Sequence, residues 1–285
     1  MHALPTLVAL VAALLLTPPI LRHLREEGFT RENYRGRALP FPGGIAIVAA
    51  GVLAVGLCIA LAAVARLDAF AVSGFSLTYL LGVALLGLVD DLVSGPPARS
   101  RGWRGHGGAV LRGAFSTGAL KALGSLALAL YALQELTFFG TGRYLLAVVL
   151  LVLTTNLFNL LDLRPGRSAK AFVLLGAGLS LGAWHGRYGS DTPLWVVGPF
   201  AAPILVAGFY DLRERTMLGD IGANVIGAVA GLWLIDALDT AGQLIALAIV
   251  LAITVYGEFR SLSALVERTP LLRQIDSIGR NDAHA

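Results

Sequence analysis

A chain of 285 residues that is 56% hydrophobic and only 14% charged falls well short of the roughly 25% charged residues of a soluble domain. Its mean hydropathy of +0.74 excludes an ordinary soluble globule and places it in the membrane class. The net charge of +4 and pI near 9.5 do not signal a nucleic-acid binder, because the basic residues lie between apolar runs and not on one soluble face.

Apolar runs near the roughly 20 residues that a bilayer requires predict an all-α, polytopic chain of about nine spans. They fall at 4–21, 44–65, 73–90, 116–134, 143–161, 169–186, 194–210, 221–237 and 241–257. The first reads as a span and not a signal peptide: no basic segment precedes it, and Pro18-Pro19 with the following Arg/Glu-rich stretch marks its end. Cys58, the single cysteine, lies inside span two, so neither a disulfide framework nor a cysteine metal site is expected. The 34 glycines suit closely packed membrane helices. No internal repeat is evident, which weighs against an inverted-repeat transporter. Beyond the transmembrane domain, 1–257, a tail covers 258–285. Phe259, Leu262, Leu265, Val266, Leu271, Leu272, Ile275 and Ile278 alternate there with Arg and Glu, and Pro270 interrupts them. This is an amphipathic segment, expected either on the cytoplasmic membrane surface or packed as an ordinary tail helix.

The charges orient the spans. Eighteen of the 22 Lys and Arg residues fall on one side by this count. They are Arg22, Arg25, Arg31, Arg35 and Arg37 after span one; Arg99, Arg101, Arg104 and Arg112 after span three; Arg164, Arg167 and Lys170 after span five; Arg213 and Arg215 after span seven; and Arg260, Arg268, Arg273 and Arg280 in the tail. The opposite loops hold only Arg66, Arg143 and Arg187. The positive-inside rule then puts the N-terminus outside and the tail in the cytoplasm.

The polar residues that interrupt the apolar pattern gather on that same side. Asp90 and Asp91 end span three, where two adjacent carboxylates either form a solvated helix end or require a cation. Asn156 and Asn159, three apart, share a face of span five, and Asp162 follows at the same spacing; interhelical hydrogen bonding is the simpler reading of the two amides. Asp220 opens span eight between Gly219 and Gly222, where a carboxylate also suits a helix cap. Lys121 lies about a turn inside span four, either snorkelling or paired with a lipid phosphate or with Asp90/Asp91. Carboxylates converging from three spans suit Mg²⁺, which binds through one or two carboxylates plus phosphates. Arg164, Arg167 and Lys170 suit phosphate recognition.

Four stretches in order, Pro40-Phe41-Pro42-Gly43-Gly44, Gly87-Leu88-Val89-Asp90-Asp91, Asn156-Leu157-Phe158-Asn159-Leu160-Leu161-Asp162 and Gly219-Asp220-Ile221-Gly222, with Lys121 between the second and third, resemble the polyprenyl-phosphate N-acetylhexosamine-1-phosphate transferase superfamily over roughly residues 40–230. The resemblance implies Mg²⁺-dependent transfer of a sugar-1-phosphate from a UDP-N-acetylhexosamine, such as UDP-MurNAc-pentapeptide or UDP-GlcNAc, to undecaprenyl phosphate. UMP leaves, and the setting is cell-wall or surface-glycan synthesis at the cytoplasmic face of the plasma membrane. It further implies Asp220 as the metal ligand and Asp90 and Asp91 at the lipid phosphate or metal, one of them a candidate base. Asn159 and Asp162 then face the nucleotide and sugar, and Lys121 holds phosphate; Asn156, Arg164 and Arg167 are further substrate-binding candidates, read from their own positions and not from the resemblance.

Two departures mark a divergent branch. Asp162-Leu163-Arg164-Pro165-Gly166-Arg167 stands where the family continues Asp-Gly-x-Asp-Gly, and the family's His-rich loop has no counterpart; His106 is the single histidine of a mid-chain cytoplasmic loop. The alternatives are a catalytically reduced paralogue that binds carrier lipid or nucleotide-sugar, and a transporter or flippase. Apolar spans are also compatible with a membrane homodimer.

Overall fold

The computed structural model describes residues 4–65, 74–93, 117–184 and 192–280. Arg66, Arg99, Arg101, Arg104, His106, Arg112 and Arg187 lie outside the described residues.

The described chain is helical apart from one small ribbon. The long helices are α1 (Leu4–Glu26), α2 (Ile45–Ala65), α3 (Gly74–Val93), α4 (Thr117–Ala132), α5 (Thr141–Leu161), α6 (Arg167–Trp184), α7 (Thr192–Leu212), α8 (Gly219–Ala237) and α9 (Thr240–Phe259). A 3₁₀ turn at Gln134–Phe139 links α4 to α5, and α10 (Leu262–Arg268) and α11 (Pro270–Ser277) form the tail. Among the described residues six helices, α1, α2, α3, α5, α8 and α9, are long and apolar enough to cross a membrane. The chain thus has the helices of a polytopic membrane protein. α4 and the Gly198–Leu212 part of α7 are apolar but shorter.

Helix α8 is the axis of the bundle. It is buried without interruption from Ile221 to Leu234, the mark of a helix enclosed on all sides. α3 and α5 flank it, with α2, α6 and α7 completing the enclosure. α1 packs on α2 and α7, α4 on α3, and α9 leans on α5.

Three local features differ from the sequence expectation. Helix α1 does not stop near residue 21 but runs through Pro18 and Pro19 to Glu26. Each proline removes one backbone donor, and packing of α1 along α2 and α7 supplies the tertiary support that lets a membrane helix tolerate the loss. Helix α3 continues three residues past the expected end, to Val93, so Asp90 and Asp91 sit within its last turn. The loop after α1 contains an antiparallel ribbon, β1 (Thr30–Glu32) against β2 (Ala38–Pro40), with Arg31 opposite Leu39. Three-residue strands leave no alternating pattern to read.

In the tail, Pro270 opens α11, the helix position where its missing N–H is harmless. Leu271 and Ile278 are each 66% exposed. Glu267, Asp276 and Arg280 of the tail instead turn toward the segment that follows α5.

Candidate functional site

The ends of α3, α5 and α8 meet because backbone approaches backbone. A Cβ on Gly87 would fall 2.6 Å from the Asp220 carbonyl oxygen and 2.6 Å from the Ile221 nitrogen. Only glycine allows α8 to start this close to α3. One turn further along α3, Asp91 projects from the same face. Its Oδ1 accepts the Asp220 N–H at 2.9 Å and its Oδ2 the Ile221 N–H at 3.0 Å. α3 thus caps the N-terminus of α8 with a carboxylate, satisfying two free donors and the positive end of the helix dipole. Gly219, at φ 73°, turns the chain into this cap; a Cβ there would lie 2.7 Å from Asp91 Oδ2.

The segment before α2 braces the same turn. Gly43 and Gly44 donate to the carbonyls of Met217 and Leu218, each at 2.8 Å, and Met217 N–H donates back to the Pro40 carbonyl at 3.1 Å. Arg31 lies 3.8 Å over the Phe41 ring and donates to the Asp91 carbonyl at 2.9 Å. The motif Pro40 to Gly44 therefore holds the start of α8.

Asp220, fixed this way, does not cap its own helix; Asp91 takes that role. The Asp220 side chain faces Lys121 of α4. Lys121 Nζ donates to Asp220 Oδ2 and, at 3.1 Å, to Asp90 Oδ2. Asn159 of α5 completes the group. With its amide oriented to satisfy both atoms, it donates to Asp220 Oδ1 at 3.0 Å and accepts from Lys121 Nζ at 3.0 Å. Four helices therefore deliver Asp90, Lys121, Asn159 and Asp220 to one point. Their side chains remain partly accessible, 17% for Asp90, 16% for Lys121 and 30% for Asp220.

The structure separates the other expected residues. Asp91 is engaged at both carboxylate oxygens by the α8 backbone, so it positions Asp220 and does not itself face the group. Asp162 caps the end of α5 and accepts from Ser168 Oγ at 3.1 Å. Burial and the neighbouring Asp211 carboxylate, with Asp220 and Asp91 adding to them, push its carboxyl well above the usual carboxylate range. Asn156 lies on α5 one turn before Asn159, half-buried.

Arg164 and Arg167 turn to the tail. Arg167 grips Asp276 through Nε–Oδ1 and NH2–Oδ2 contacts, each 3.0 Å, and its NH1 donates to Ser263 Oγ at 3.1 Å. Arg164 pairs with Glu267 at 3.3 Å and lies 4.2 Å over the Tyr34 ring. In this structure the two arginines contact α10, α11 and the loop after α1.

Two carboxylates passed unnoticed in the sequence. Buried Asp211 accepts the Gly166 N–H at 2.6 Å and so pins the loop that follows Asp162. Buried Glu214 accepts from Asn33 Nδ2 at 3.1 Å and lies 3.5 Å from Arg35 and 3.7 Å from Arg37, joining the ribbon loop to the turn before α8. The signal is present in Asp211-Leu212-Arg213-Glu214-Arg215, where two acids beside two arginines read only as loop charge.

No protein-family model matches the chain, and no curated protein matches it.

The group is rich in negative charge. Lys121 sits where the Asp90 and Asp220 carboxylates converge, and Asp91 and Asp162 lie within electrostatic reach of Asp220 and not on the lysine. Among the described residues no set of three or more Asp, Glu, His or Cys meets at one point. Two converging carboxylates fit Mg²⁺, whose remaining positions are ordinarily filled by water and substrate phosphate.

Proposed function

We propose that this chain is a phosphoglycosyl transferase: it moves a sugar-1-phosphate from a UDP-N-acetylhexosamine to undecaprenyl phosphate and releases UMP. The observation that carries the reading is the meeting of Asp90, Lys121, Asn159 and Asp220 from four helices. The resemblance of the four ordered motifs supplies the reaction, and the excess of carboxylates supplies the reason for a divalent cation. In this reading all nine long helices embed in the plasma membrane, the N-terminus lies outside, and the site and tail face the cytoplasm. The preponderance of basic loop residues on that side supports this orientation.

A polyprenyl phosphate oxygen attacks the β-phosphorus of the donor. The phosphoanhydride bond breaks, and UMP leaves with the bonding electrons. Such a transfer needs positioning and charge compensation more than covalent work by the protein. Asp220 and Asp90 are the residues to hold Mg²⁺, which when bound would offset charge on the phosphates. Lys121 supplies a second positive charge for a phosphate oxygen. Asn159 orients Asp220 and offers an amide to the donor. Asp91 fixes the backbone from which Asp220 projects, and Asp162 lines the donor side at the end of α5.

The test is UMP release by the purified full chain in detergent, with undecaprenyl phosphate, Mg²⁺ and a panel of UDP-N-acetylhexosamines. UMP release that requires the lipid, from one donor, supports the reading and identifies the sugar. Absence of release from every donor, with carrier lipid still bound, would overturn it.

A further inference from the structure

Lys121 does more than neutralise its neighbours. An ammonium group has three N–H donors, and three oxygens from three different helices receive them: Asp90 Oδ2, Asp220 Oδ2 and Asn159 Oδ1. Two are carboxylate and one is amide, the hard oxygen type that also binds Mg²⁺. The group is thus a cation cage whose cation is tethered to the protein. We infer that the Lys121 ammonium and a divalent cation are alternative occupants of this cage, so that metal binding must expel Nζ. The inference rests on the reading that Asp90 and Asp220 hold the metal.

The physical reason is mutual repulsion. Three positive charges cannot share the same few oxygens, since unit charges about 4 Å apart interact strongly wherever water is partly excluded. The lysine can leave because its ammonium rides on a flexible four-carbon stem. A bare ion offers the expelled ammonium nothing in return. A metal–nucleotide complex brings phosphate oxygens that the released Nζ can contact. Metal and nucleotide should therefore bind cooperatively through Lys121, each tightening the other to the same degree. The device keeps Lys121 out of the phosphate position until the metal–donor complex arrives.

Mn²⁺ binding followed by electron paramagnetic resonance tests this without reference to turnover. The full chain in detergent is titrated with Mn²⁺, with and without UDP. Wild type should bind bare Mn²⁺ weakly and bind it more tightly with UDP. Lys121→Gln removes the competing charge and should bind bare Mn²⁺ about tenfold or more tighter, with most of the UDP effect lost. Lys121→Arg keeps a cation in place and should stay weak. Lys121→Met serves the same purpose should the Gln variant not fold. Equal or weaker Mn²⁺ binding by the uncharged variant, while Asp220→Asn abolishes binding, would sink the competition and leave the metal site standing. Unchanged Mn²⁺ binding by Asp220→Asn would remove the metal site itself.

Discussion

Two charged clusters lie a few residues apart in sequence at the end of α5, and their compositions are inverted. In the first, a single lysine stands between the carboxylates of Asp90 and Asp220, with Asp91 and Asp162 in electrostatic reach of Asp220. In the second, a single carboxylate, Asp276, stands among cations. Arg167 grips it with two parallel contacts, Arg280 reaches Oδ1 at 2.8 Å, and Lys170 donates to its backbone carbonyl. The second cluster is saturated: fork meets fork, and Arg280 also donates to the Pro165 carbonyl at 3.2 Å. A bidentate arginine–carboxylate pair of this kind fixes geometry. The first cluster keeps acidic excess and partial exposure. Like ingredients thus build a saturated clamp in one place and a partly open acidic group in the other, and the ratio of signs decides which.

Substitutions can break this contrast, and the largest effect belongs to the acidic cluster. Asp90→Asn should lower transfer by about 10²–10³-fold, the usual cost of losing one preorganised electrostatic group, with helical content by circular dichroism unchanged. Asp91→Ala comes next. It removes the cap on α8 and should cost about 0.5–2 kcal/mol of stability, read as a lowered melting temperature, together with a loss of activity through displacement of Asp220. Gly87→Ala, which forces α3 away from α8, should fall in the same range, about 1–3 kcal/mol for overpacking.

In the clamp, Arg167→Ala should loosen the tail by on the order of 1.5–3 kcal/mol, the worth of hydrogen bonds to charged groups. Limited proteolysis near 262–277 should then accelerate. Asp276→Ala should do the same, and the double variant should add little to either, because both remove one interaction. Acid should mimic these variants. Burial raises the Asp276 pKa, but Arg167 and Arg280 outweigh it and hold the carboxyl below its ordinary value. Its stabilisation is therefore complete above the unfolded pKa of about 3.9. It is lost only as the pH falls through the lower folded value, so proteolysis of the tail should accelerate below about pH 4. The smallest effect should come from Arg164→Ala. Its partner Glu267 is 60% exposed, and such a surface pair contributes about 0–1 kcal/mol.

The acidic cluster was more legible in the sequence than the clamp, for a physical reason. Charged or amide residues that interrupt apolar runs stand out because water-free surroundings make them costly, so Asp90, Asn159, Lys121 and Asp220 were visible one at a time. Their division of labour was not. Asp91 and Asp90 are neighbours in sequence, yet successive helical residues point in different directions. Which one faced Lys121 depended on the N–H groups of α8, some 129 residues later in the chain. Asp220 at a helix start read equally well as a cap, until Asp91 filled that role from another helix. Arg164 and Arg167 matched a phosphate-binding pattern because a guanidinium suits phosphate and carboxylate alike. The carboxylate that Arg167 meets, Asp276, lies 109 residues away in the tail, beyond any local pattern. The all-helical, membrane-type character of the chain was legible in its hydropathy, six of the described helices being long and apolar enough to cross a membrane, whereas the continuation of α1 through Pro18 and Pro19 depended on its tertiary neighbours.

The most direct measurement compares lipid-dependent UMP release by wild type, Asp220→Asn and Arg167→Ala at matched protein concentration. The account expects release from wild type, none above background from Asp220→Asn, and release with a near-normal donor KM from Arg167→Ala. Near-normal turnover by Asp220→Asn, or a donor KM raised severalfold or more by Arg167→Ala while the tail stays protected from protease, would contradict the assignment of the two clusters.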